Sequence, residues 1–256
     1  MAESLSINGT SLYTYLESIH AAPGLVGAPP IRGGDYETPL RPGATNGTRW
    51  AGPRVASIYG VLYGGTDGRA GYLDKIRGLS ALVWNDGDTY TVTRVLPRVS
   101  GGDLTVEATG RYGGGLESIQ QVAHHAGRCT FDIVFLDSYW FDSSTTTLSA
   151  ITGSATPTIA GDVATRNLTL TFSGATAVQR LTNNTTGQWV EVLGNTSADT
   201  VLDCTALSAT RSGSSKAGDV SHNADFDDWM TLPAGSNSLT LTGGGQVVVA
   251  YKGAWL

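Results

Sequence analysis

The sequence predicts a mainly β protein with two sandwich-type domains, the first of which carries one α-helix packed on its sheet. Short β-branched runs separated by Gly, Pro and Asn turns recur along the chain, as in antiparallel β proteins. Only residues 68–84 place apolar side chains at helical spacing. A chain of 256 residues is long enough for two compact domains.

The first domain begins with an early strand and continues with several longer ones. The runs predicted as strands are Ser4–Asn8, Arg54–Leu62, Thr89–Leu96, Leu104–Ala108 and Cys129–Leu136. Residues 111–127 show no consistent period, and a loop, a short helix and an irregular strand all remain open.

One amphipathic helix interrupts these strands. Asp67 is a plausible N-cap, and Asn85-Asp-Gly87 ends the helical pattern. The residues predicted to form one apolar stripe toward the core are Tyr72, Leu73, Ile76, Leu79 and Leu82.

Residues 21–54 differ from the rest of the first domain because they are rich in Pro and Gly. Proline lacks a backbone donor, so this segment cannot lie inside a regular sheet. Long segments of this kind in compact domains are usually functional or cover another surface. Arginine and aromatic residues are typical of protein interfaces, and the candidate subunit-interface residues here are Arg32, Tyr36, Arg41 and Trp50.

The helical signal ends before the middle of the chain, which predicts a domain boundary there. Asp137-Ser-Tyr-Trp-Phe-Asp142 leads into the linker Ser143–Thr147, giving domains 1–143 and 144–256. Short strands at regular spacing then predict an antiparallel sandwich. These strands are Thr158–Ile159, Asn167–Phe172, Gln179–Leu181, Gln188–Leu193 and Thr200–Cys204.

The closing segment, Trp229 to Leu256, contains two turn signals and two β-branched runs. Trp229 is placed at the start of a strand, and Pro233–Asn237 is a turn. Gly243-Gly-Gly245 is then expected to reverse the chain between Ser238–Thr242 and Gln246–Tyr251. The segment is therefore predicted to be a hairpin docked in the sheet.

Composition excludes several classes of function. Charged residues make up only 15% and the net charge is −6, with no basic block that would hold nucleic-acid phosphates. No apolar run approaches the length of a membrane span, and the N-terminus has no secretory signal pattern. The two cysteines, Cys129 and Cys204, are predicted to be free and buried in separate domains.

No pattern of catalytic or cofactor-binding residues is present. Nucleophile-elbow, zinc-protease and phosphate-loop motifs are missing, so neither an enzyme nor a cofactor site is predicted. His124 and His125 are interpreted as a surface pair, since neighbouring residues point apart and no second ligand pair has metal spacing. Residues 225–228 contain three aspartates but lack the glycine of a calcium loop, which favours a solvated acidic turn.

Trp189 is the candidate outward aromatic residue. In Gln188-Trp-Val-Glu-Val192, Val190 and Val192 share one face of the strand while Trp189 and Glu191 share the other. If the valines face the core, Trp189 lies outside, where aromatic rings stack on sugars or anchor partners. The opposite assignment, with Trp189 buried, remains open.

The order of several motifs resembles the distal tail proteins of long-tailed, siphovirus-type phages and the wider siphophage tail-component family. In the first domain these are the long Pro/Gly segment, the single helix and Asp137-Ser-Tyr-Trp-Phe-Asp142. In the second they are Gly161-Asp162 before Asn167–Gly174, Leu181–Gly187, Val201-Leu-Asp203 and the closing segment from Trp229.

The resemblance implies a structural virion protein. In such proteins the N-terminal domain forms a hexameric ring that joins the tail tube to the tail-tip hub or fibres, and the C-terminal sandwich is galectin-like or similar to a carbohydrate-binding module. The expected partners are further copies of the chain, the tail-tube protein and hub or fibre proteins, with neither membrane nor specific nucleic-acid binding. The expected location is the virion tail tip, after synthesis in the host cytoplasm. The alternative is a carbohydrate-binding or receptor-binding tail module, and a polysaccharide hydrolase is the least favoured class.

Overall fold

The computed structural model describes residues 4–25, 29–32, 36–37, 44–45, 50–84, 88–98, 102–116, 119–174, 176–195, 198–223 and 229–256. Within the short strands between residues 31 and 51 only the backbone is described. The chain divides into two compact units, Met1–Trp140 together with Leu256, and Phe141–Trp255. The predicted mainly β class is confirmed.

The first unit is built on one long antiparallel sheet. Its strands are β1 (Ser4–Ile7), β2 (Thr10–Ser11), β3 (Leu16–Ala21), β4 (Ile31–Arg32), β5 (Tyr36–Glu37), β6 (Ala44–Thr45), β7 (Trp50–Ala51), β8 (Arg54–Tyr63), β9 (Tyr90–Leu96), β10 (Leu104–Gly114), β11 (Gln120–Ala123) and β12 (Ala126–Phe135). The main sheet has the order β2-β1-β9-β10-β12-β8-β3, with β11 paired to β12. The sequence left the secondary structure of residues 111–127 undecided, and the described residues among them are largely strand.

The single α-helix, α1 (Gly68–Val83), forms where the sequence predicts it and contacts β8. Its buried residues are Tyr72, Leu79 and Val83, whereas Leu73 is 36% exposed. The predicted stripe is therefore wrong at Leu73, because the packed face follows Tyr72, Leu79 and Val83 around the helix. Asp67 occupies the N-cap position, but its side chain makes no capping hydrogen bond.

The described strands between residues 29 and 52 of the Pro/Gly-rich segment pair with one another. β4 pairs with β7 and β5 pairs with β6, which makes two separate two-stranded ladders. The amide of Gly52 also donates to the carbonyl of Pro30 at 2.6 Å. We name residues 29–52 the arm. The many prolines explain why it does not join the sheet, as the sequence predicts.

The second unit is a sandwich of two antiparallel sheets. After β13 (Trp140–Asp142), which spans the division, its strands are β14 (Thr146–Thr147), β15 (Ser154–Ala155), β16 (Thr158–Ile159), β17 (Leu168–Ser173), β18 (Thr176–Asn183), β19 (Gln188–Asn195), β20 (Thr200–Asp203), β21 (Ser208–Arg211), β22 (Ser214–Ser215), β23 (Val220–His222), β24 (Gly235–Ser236), β25 (Leu239–Thr242), β26 (Gln246–Tyr251) and β27 (Ala254–Trp255). The sheets have the orders β14-β26-β17-β20-β21-β22 and β15-β25-β18-β19-β23. Their inner faces enclose one apolar core containing Phe172, Val190 and Leu202.

The predicted closing hairpin is wrong. β25 pairs with β18 in one sheet, whereas β26 pairs with β17 in the other. Gly243-Gly-Gly245 therefore carries the chain across the edge of the sandwich instead of turning it back beside itself. Trp229 is buried but does not begin a strand, since its neighbourhood forms only an isolated bridge between Thr165 and Leu232.

Helices in the described part of the chain are too short or too polar to cross a membrane.

Candidate interaction sites

Three side-chain donors converge on one carbonyl oxygen, that of Leu25, which lies before the arm in the chain. Arg94 Nη1, Trp140 Nε1 and Arg54 Nη1 donate to the oxygen of Leu25 at 2.9, 3.0 and 3.3 Å, respectively. Leu25 is itself buried, and residues 26–28, which separate it from the arm, lie outside the described part of the chain. Side chains from three separate strands thus meet at Leu25.

Two cations are buried at this point. Arg54 and Arg94 are each only 4% exposed. Burial lowers the pKa of Arg54 from its ordinary value, and the neighbouring charge of Arg94 lowers it further. Arg54 Nη2 donates to the carbonyl of Ser138, while its buried Nε has no partner among the described residues.

Sequence analysis missed both arginines, although a signal was present. In β8 the buried residues alternate as Arg54, Ala56 and Ile58, and in β9 Arg94 shares the buried parity of Val92. An arginine on the core parity of a strand therefore marks a side chain that must find acceptors inside the protein.

The arm carries the candidate interface residues. Arg32 lies directly opposite Trp50 in the β4–β7 pair, and Tyr36 lies opposite Thr45 in the β5–β6 pair. The side chains of these residues, and Arg41 altogether, lie outside the described part of the structure. The backbone alone establishes that Arg32 and Trp50 are neighbours, which the sequence could not show.

The outer face of the first sheet presents a second candidate surface. Val55, Tyr59 and Tyr63 of β8 are exposed, on the face of the strand opposite its buried residues. Beyond the C-terminus of α1, Trp84 is 62% exposed, and its ring centroid lies 5.5 Å from that of Tyr112. Exposed aromatic residues of this kind commonly anchor protein partners.

Trp189 lies in β19 with its ring covered by a cation. Val190 and Val192 are fully buried in the core, and Trp189 is partly exposed on the opposite face of the strand. The Arg180 guanidinium carbon lies 4.1 Å from the centroid of the Trp189 ring. Glu191 holds Arg180 in place through Oε2, which accepts from Nε and Nη2 at 2.8 Å. The cation thus occupies a ring face on which a sugar would stack.

A depression of about 200 Å³ in the first unit lacks a reactive nucleophile. Its lining includes His20, Tyr59, Arg128 and Cys129. Burial raises the pKa of the Cys129 thiol to about 11, and the thiol donates to the carbonyl of Gly60 at 3.7 Å. Because the thiolate is the reactive species, this cysteine is poorly suited to nucleophilic catalysis near neutral pH.

The candidate metal ligands do not form a site in the described part of the chain. His124 and His125 form the turn between β11 and β12, and the His125 ring packs on Tyr63. No group of three or more His, Cys, Asp or Glu side chains with metal-binding geometry occurs among the described residues. The aspartates of residues 225–228 fall outside them. Cys129 and Cys204 are both free and buried, as predicted.

Comparison with known proteins supports the resemblance seen in the sequence. Residues 160–255 match the family model described as the siphovirus-type tail component, C-terminal domain. The crystal structure of the Dit protein (gp 19.1) of phage SPP1, described as a paradigm of the hub adsorption apparatus in phages that infect Gram-positive bacteria, matches with a TM-score of 0.72 and 17% identity over 98% of this chain and 99% of that chain. A chain of the phage P2 baseplate in its activated conformation with Ca matches with a TM-score of 0.45 and 8% identity, covering 98% of both chains.

A search of curated proteins gave no match. The similarity to the siphovirus-type distal tail proteins is nevertheless confirmed, in sequence by the second unit and in fold by the whole chain.

Proposed function

We propose that this protein is a structural component of a siphovirus-type phage tail tip, where copies of it form a ring, most simply a hexamer, between the tail tube and the hub or fibres. The match of residues 160–255 to a siphovirus-type tail component carries the proposal. A fold shared with the SPP1 protein over 98% of the chain supports it. The protein would act in the assembled virion, after synthesis in the host cytoplasm.

We assign ring formation to residues 1–143. A ring closes when one surface of each copy binds a different surface of the next through a rotation that divides a full turn. The arm and the exposed face of β8 are two such different surfaces on the first unit. An isolated two-stranded ribbon is only marginally stable alone, so an arm packed against a neighbouring copy would gain stability from the contact.

The ring lumen should be neutral to acidic. Residues 1–143 contain 11 basic and 14 acidic side chains, a net charge of −3. A basic wall would retain phosphates of DNA leaving through the tail. We therefore expect the electrostatic potential of the pore, mapped on a cryo-EM reconstruction of the assembled ring, to be zero or negative along its length. A continuous positive wall would contradict this expectation.

The observations favour a scaffold over an enzyme or a glycan-binding module. The only cysteine lining the described depression has a raised thiol pKa, and the outward Trp189 ring is covered by Arg180. A stacking platform normally offers a bare aromatic face. Glycan-array binding that is lost in Trp189→Ala would instead favour the receptor-binding alternative.

Native mass spectrometry and negative-stain microscopy of the purified chain test ring formation directly. Tyr36→Ala in the arm should weaken the ring, because aromatic anchors supply much of the binding energy at interfaces. Tyr13→Ala is a matched control, since Tyr13 is exposed on the same unit but lies outside the arm. A chain that stays monomeric at every concentration and in assembled tails would refute the proposal, and equal effects of the two variants would remove the arm from the interface.

A further inference from the structure

The depression on the outer face of the first sheet has a lining whose chemistry the proposed ring does not explain. It measures about 200 Å³ and takes its lining from four neighbouring strands, β3, β8, β12 and β11. In the β8–β12 pair Tyr59 lies opposite Thr130, and in the β11–β12 pair Gln120 lies opposite Arg128. Residues directly opposite each other point to the same face of a sheet. The polar lining side chains that are exposed or partly exposed are His20, Tyr59, Gln120, Arg128 and Thr130.

The polar side chains around the depression have few partners inside the protein. The Arg128 guanidinium makes neither a hydrogen bond nor an ion pair with any described residue. His20 Nε2 lies 3.4 Å from Ser18 Oγ, at the long end of the hydrogen-bond range. The depression therefore presents one permanent positive charge and several hydrogen-bonding groups to whatever occupies it.

The lining suits a ligand that is negatively charged and accepts hydrogen bonds. Arg128 can only donate, and its planar fork matches the two oxygens of a carboxylate. None of the described lining residues is acidic, so the depression has no charged acceptor for the hydroxyl donors of a neutral sugar. A single guanidinium is also too little for nucleic acid, whose phosphates are bound by several cations together. An ionised carboxylate, which only accepts, is complementary to this lining.

The surroundings of the depression favour a protein segment over a free anion. One exposed cation binds a small anion weakly, because water and salt screen the charge. Arg128 lies directly opposite Val61, between Tyr59 and Tyr63, which are 43% and 38% exposed on the same face. Tyrosine rings beside an arginine are typical of protein interfaces, where they supply apolar contact. A polypeptide would use these rings, whereas a lone ion would not.

We propose that the depression binds a carboxylate side chain in an acidic segment of a protein partner. Arg128 forms the ion pair with the carboxylate, and the side chains of Gln120 and Thr130 donate to its remaining lone pairs. Tyr59 and Tyr63 pack on the apolar part of the same segment. The inference goes beyond the proposed function, since it names the chemistry of a binding partner and does not require the chain to form a ring.

The experiment uses the full-length chain and two capped hexapeptides as probes. In one peptide glutamate alternates with leucine, and in the other glutamine replaces every glutamate, so that the pair differs only in charge. Inorganic phosphate is the small-ion probe. Dissociation constants come from calorimetry, and NMR shifts of the amides of Gln120 and Thr130 locate the binding. Measurements are made where ultracentrifugation shows monomers, because a ring built through this face would cover the depression.

The variants are Arg128→Gln, Arg128→Lys and Tyr59→Ala, with Arg111→Gln as the matched control. Arg111 is also an exposed arginine of the same sheet, but it lies opposite Val134 and does not line the depression. Because Arg128 and Tyr59 are both exposed, their replacement leaves the core intact.

We expect the wild-type chain to bind the glutamate peptide about tenfold more tightly than the glutamine peptide, and Arg128→Gln to abolish this preference. Arg128→Lys should retain part of it, because lysine keeps the charge but loses the fork. Tyr59→Ala should weaken both peptides about threefold, and Arg111→Gln should change neither. Added NaCl should weaken binding of the glutamate peptide to wild type but not to Arg128→Gln.

Equal affinity of the wild-type chain for the two peptides would overturn the inference, and so would equal losses in Arg128→Gln and Arg111→Gln. If phosphate binds as tightly as the glutamate peptide and Tyr59→Ala has no effect on either, the depression is a site for free anions, and the assignment to a protein partner is wrong.

Discussion

At the scale of single residues, Asn237 explains why the closing segment contains the turn Pro233-Ala-Gly-Ser-Asn237. The buried side-chain amide of Asn237 donates to the carbonyls of Pro233 and Gly235 at 2.7 and 3.0 Å. Its oxygen accepts from Nδ2 of Asn183 at 3.1 Å. One buried side chain thus satisfies polar groups of a half-buried turn, which asparagine can do because it offers donors and an acceptor.

Replacement of Gly245 should disturb the crossing between the two sheets. It has φ +72°, and a Cβ there would collide with Gln179 Nε2 and Ser173 O. Gln179 is fully buried and donates to Ser173 O and Gly244 O at 2.9 Å, so it cannot withdraw without losing both bonds. We expect Gly245→Ala to lower the free energy of unfolding by about 3 kcal/mol in urea titrations.

Gly187→Ala separates backbone strain from collision. Gly187 has a similar φ of +76° but open space around its Cα. Gly187→Ala should lower the free energy of unfolding by only about 1 kcal/mol, which is the strain of a left-handed conformation in a residue with a side chain. Equal losses in the two variants would show that Gln179 does not constrain the crossing.

Cys129 should make the stability of the protein depend on alkaline pH. Its thiol pKa is raised from 9.0 to about 11 in the folded chain, chiefly by burial. Between these values the unfolded chain releases the thiol proton while the folded chain keeps it, so the stability present below pH 9 is lost as pH rises through 11. Between about pH 8 and pH 10.5, wild type should lose about 2 kcal/mol more than Cys129→Ala. The expectation would be contradicted if the free energy of unfolding of wild type and of Cys129→Ala, measured in urea, changed equally with pH. Rapid thiol labelling of the native protein near pH 8 would also contradict it.

At the scale of elements, Asp142 joins β13 to the chain around β27. Its Oδ1 accepts from Trp255 Nε1 at 2.8 Å, and its Oδ2 accepts from the amide of Gly253 at 3.0 Å. Its own amide donates to the carbonyl of Gly253 at 3.0 Å. The end of the chain is thereby tied to the beginning of the second unit by a single carboxylate and its backbone.

Removing this carboxylate should loosen the C-terminal strand. We expect Asp142→Ala to lower the free energy of unfolding by about 2 kcal/mol. Hydrogen bonds to a charged acceptor are stronger than neutral ones, and both donors would lose that acceptor. Asp88→Ala, at an exposed aspartate of the first unit, should change stability by less than about 0.5 kcal/mol. Thermal or urea unfolding measures both. A double-mutant cycle with Trp255→Phe should give a coupling energy clearly above zero. A coupling energy of zero would show that the Asp142–Trp255 hydrogen bond does not contribute to stability.

At the scale of the whole molecule, we expect the chain to divide into halves with separate tasks. Residues 1–143 should still assemble, because the arm, the helix and the exposed β8 face all lie there. The second half should stay monomeric. It should be more stable as 141–256 than as 148–256, since the shorter version lacks Asp142 and β14. Native mass spectrometry and unfolding curves of the three fragments check this. A folded first half that never assembles, or a second half that forms the ring, would contradict it.

The sequence by itself determined where the helix and several of the longer strands lie. Local periodicity is enough to place a helix at 68–84 and strands such as Gln188–Leu193, because side-chain alternation depends only on neighbouring residues. The order of motifs also indicated the family resemblance before any fold was known. The bounds α1 (Gly68–Val83) and β19 (Gln188–Asn195) confirm those two predictions.

Only the tertiary structure decided which strands pair and where charges are buried. The local pattern of two strands joined by three glycines fits both a hairpin and a crossing between two sheets. Which of them forms depends on pairing with strands that are far away in sequence. Leu73 and Leu79 are equally apolar, yet Leu79 is buried and Leu73 is exposed. Arg54, Arg94 and Trp140 converge on Leu25 because the fold brings together side chains from three strands that are distant in sequence, and no local pattern records that proximity.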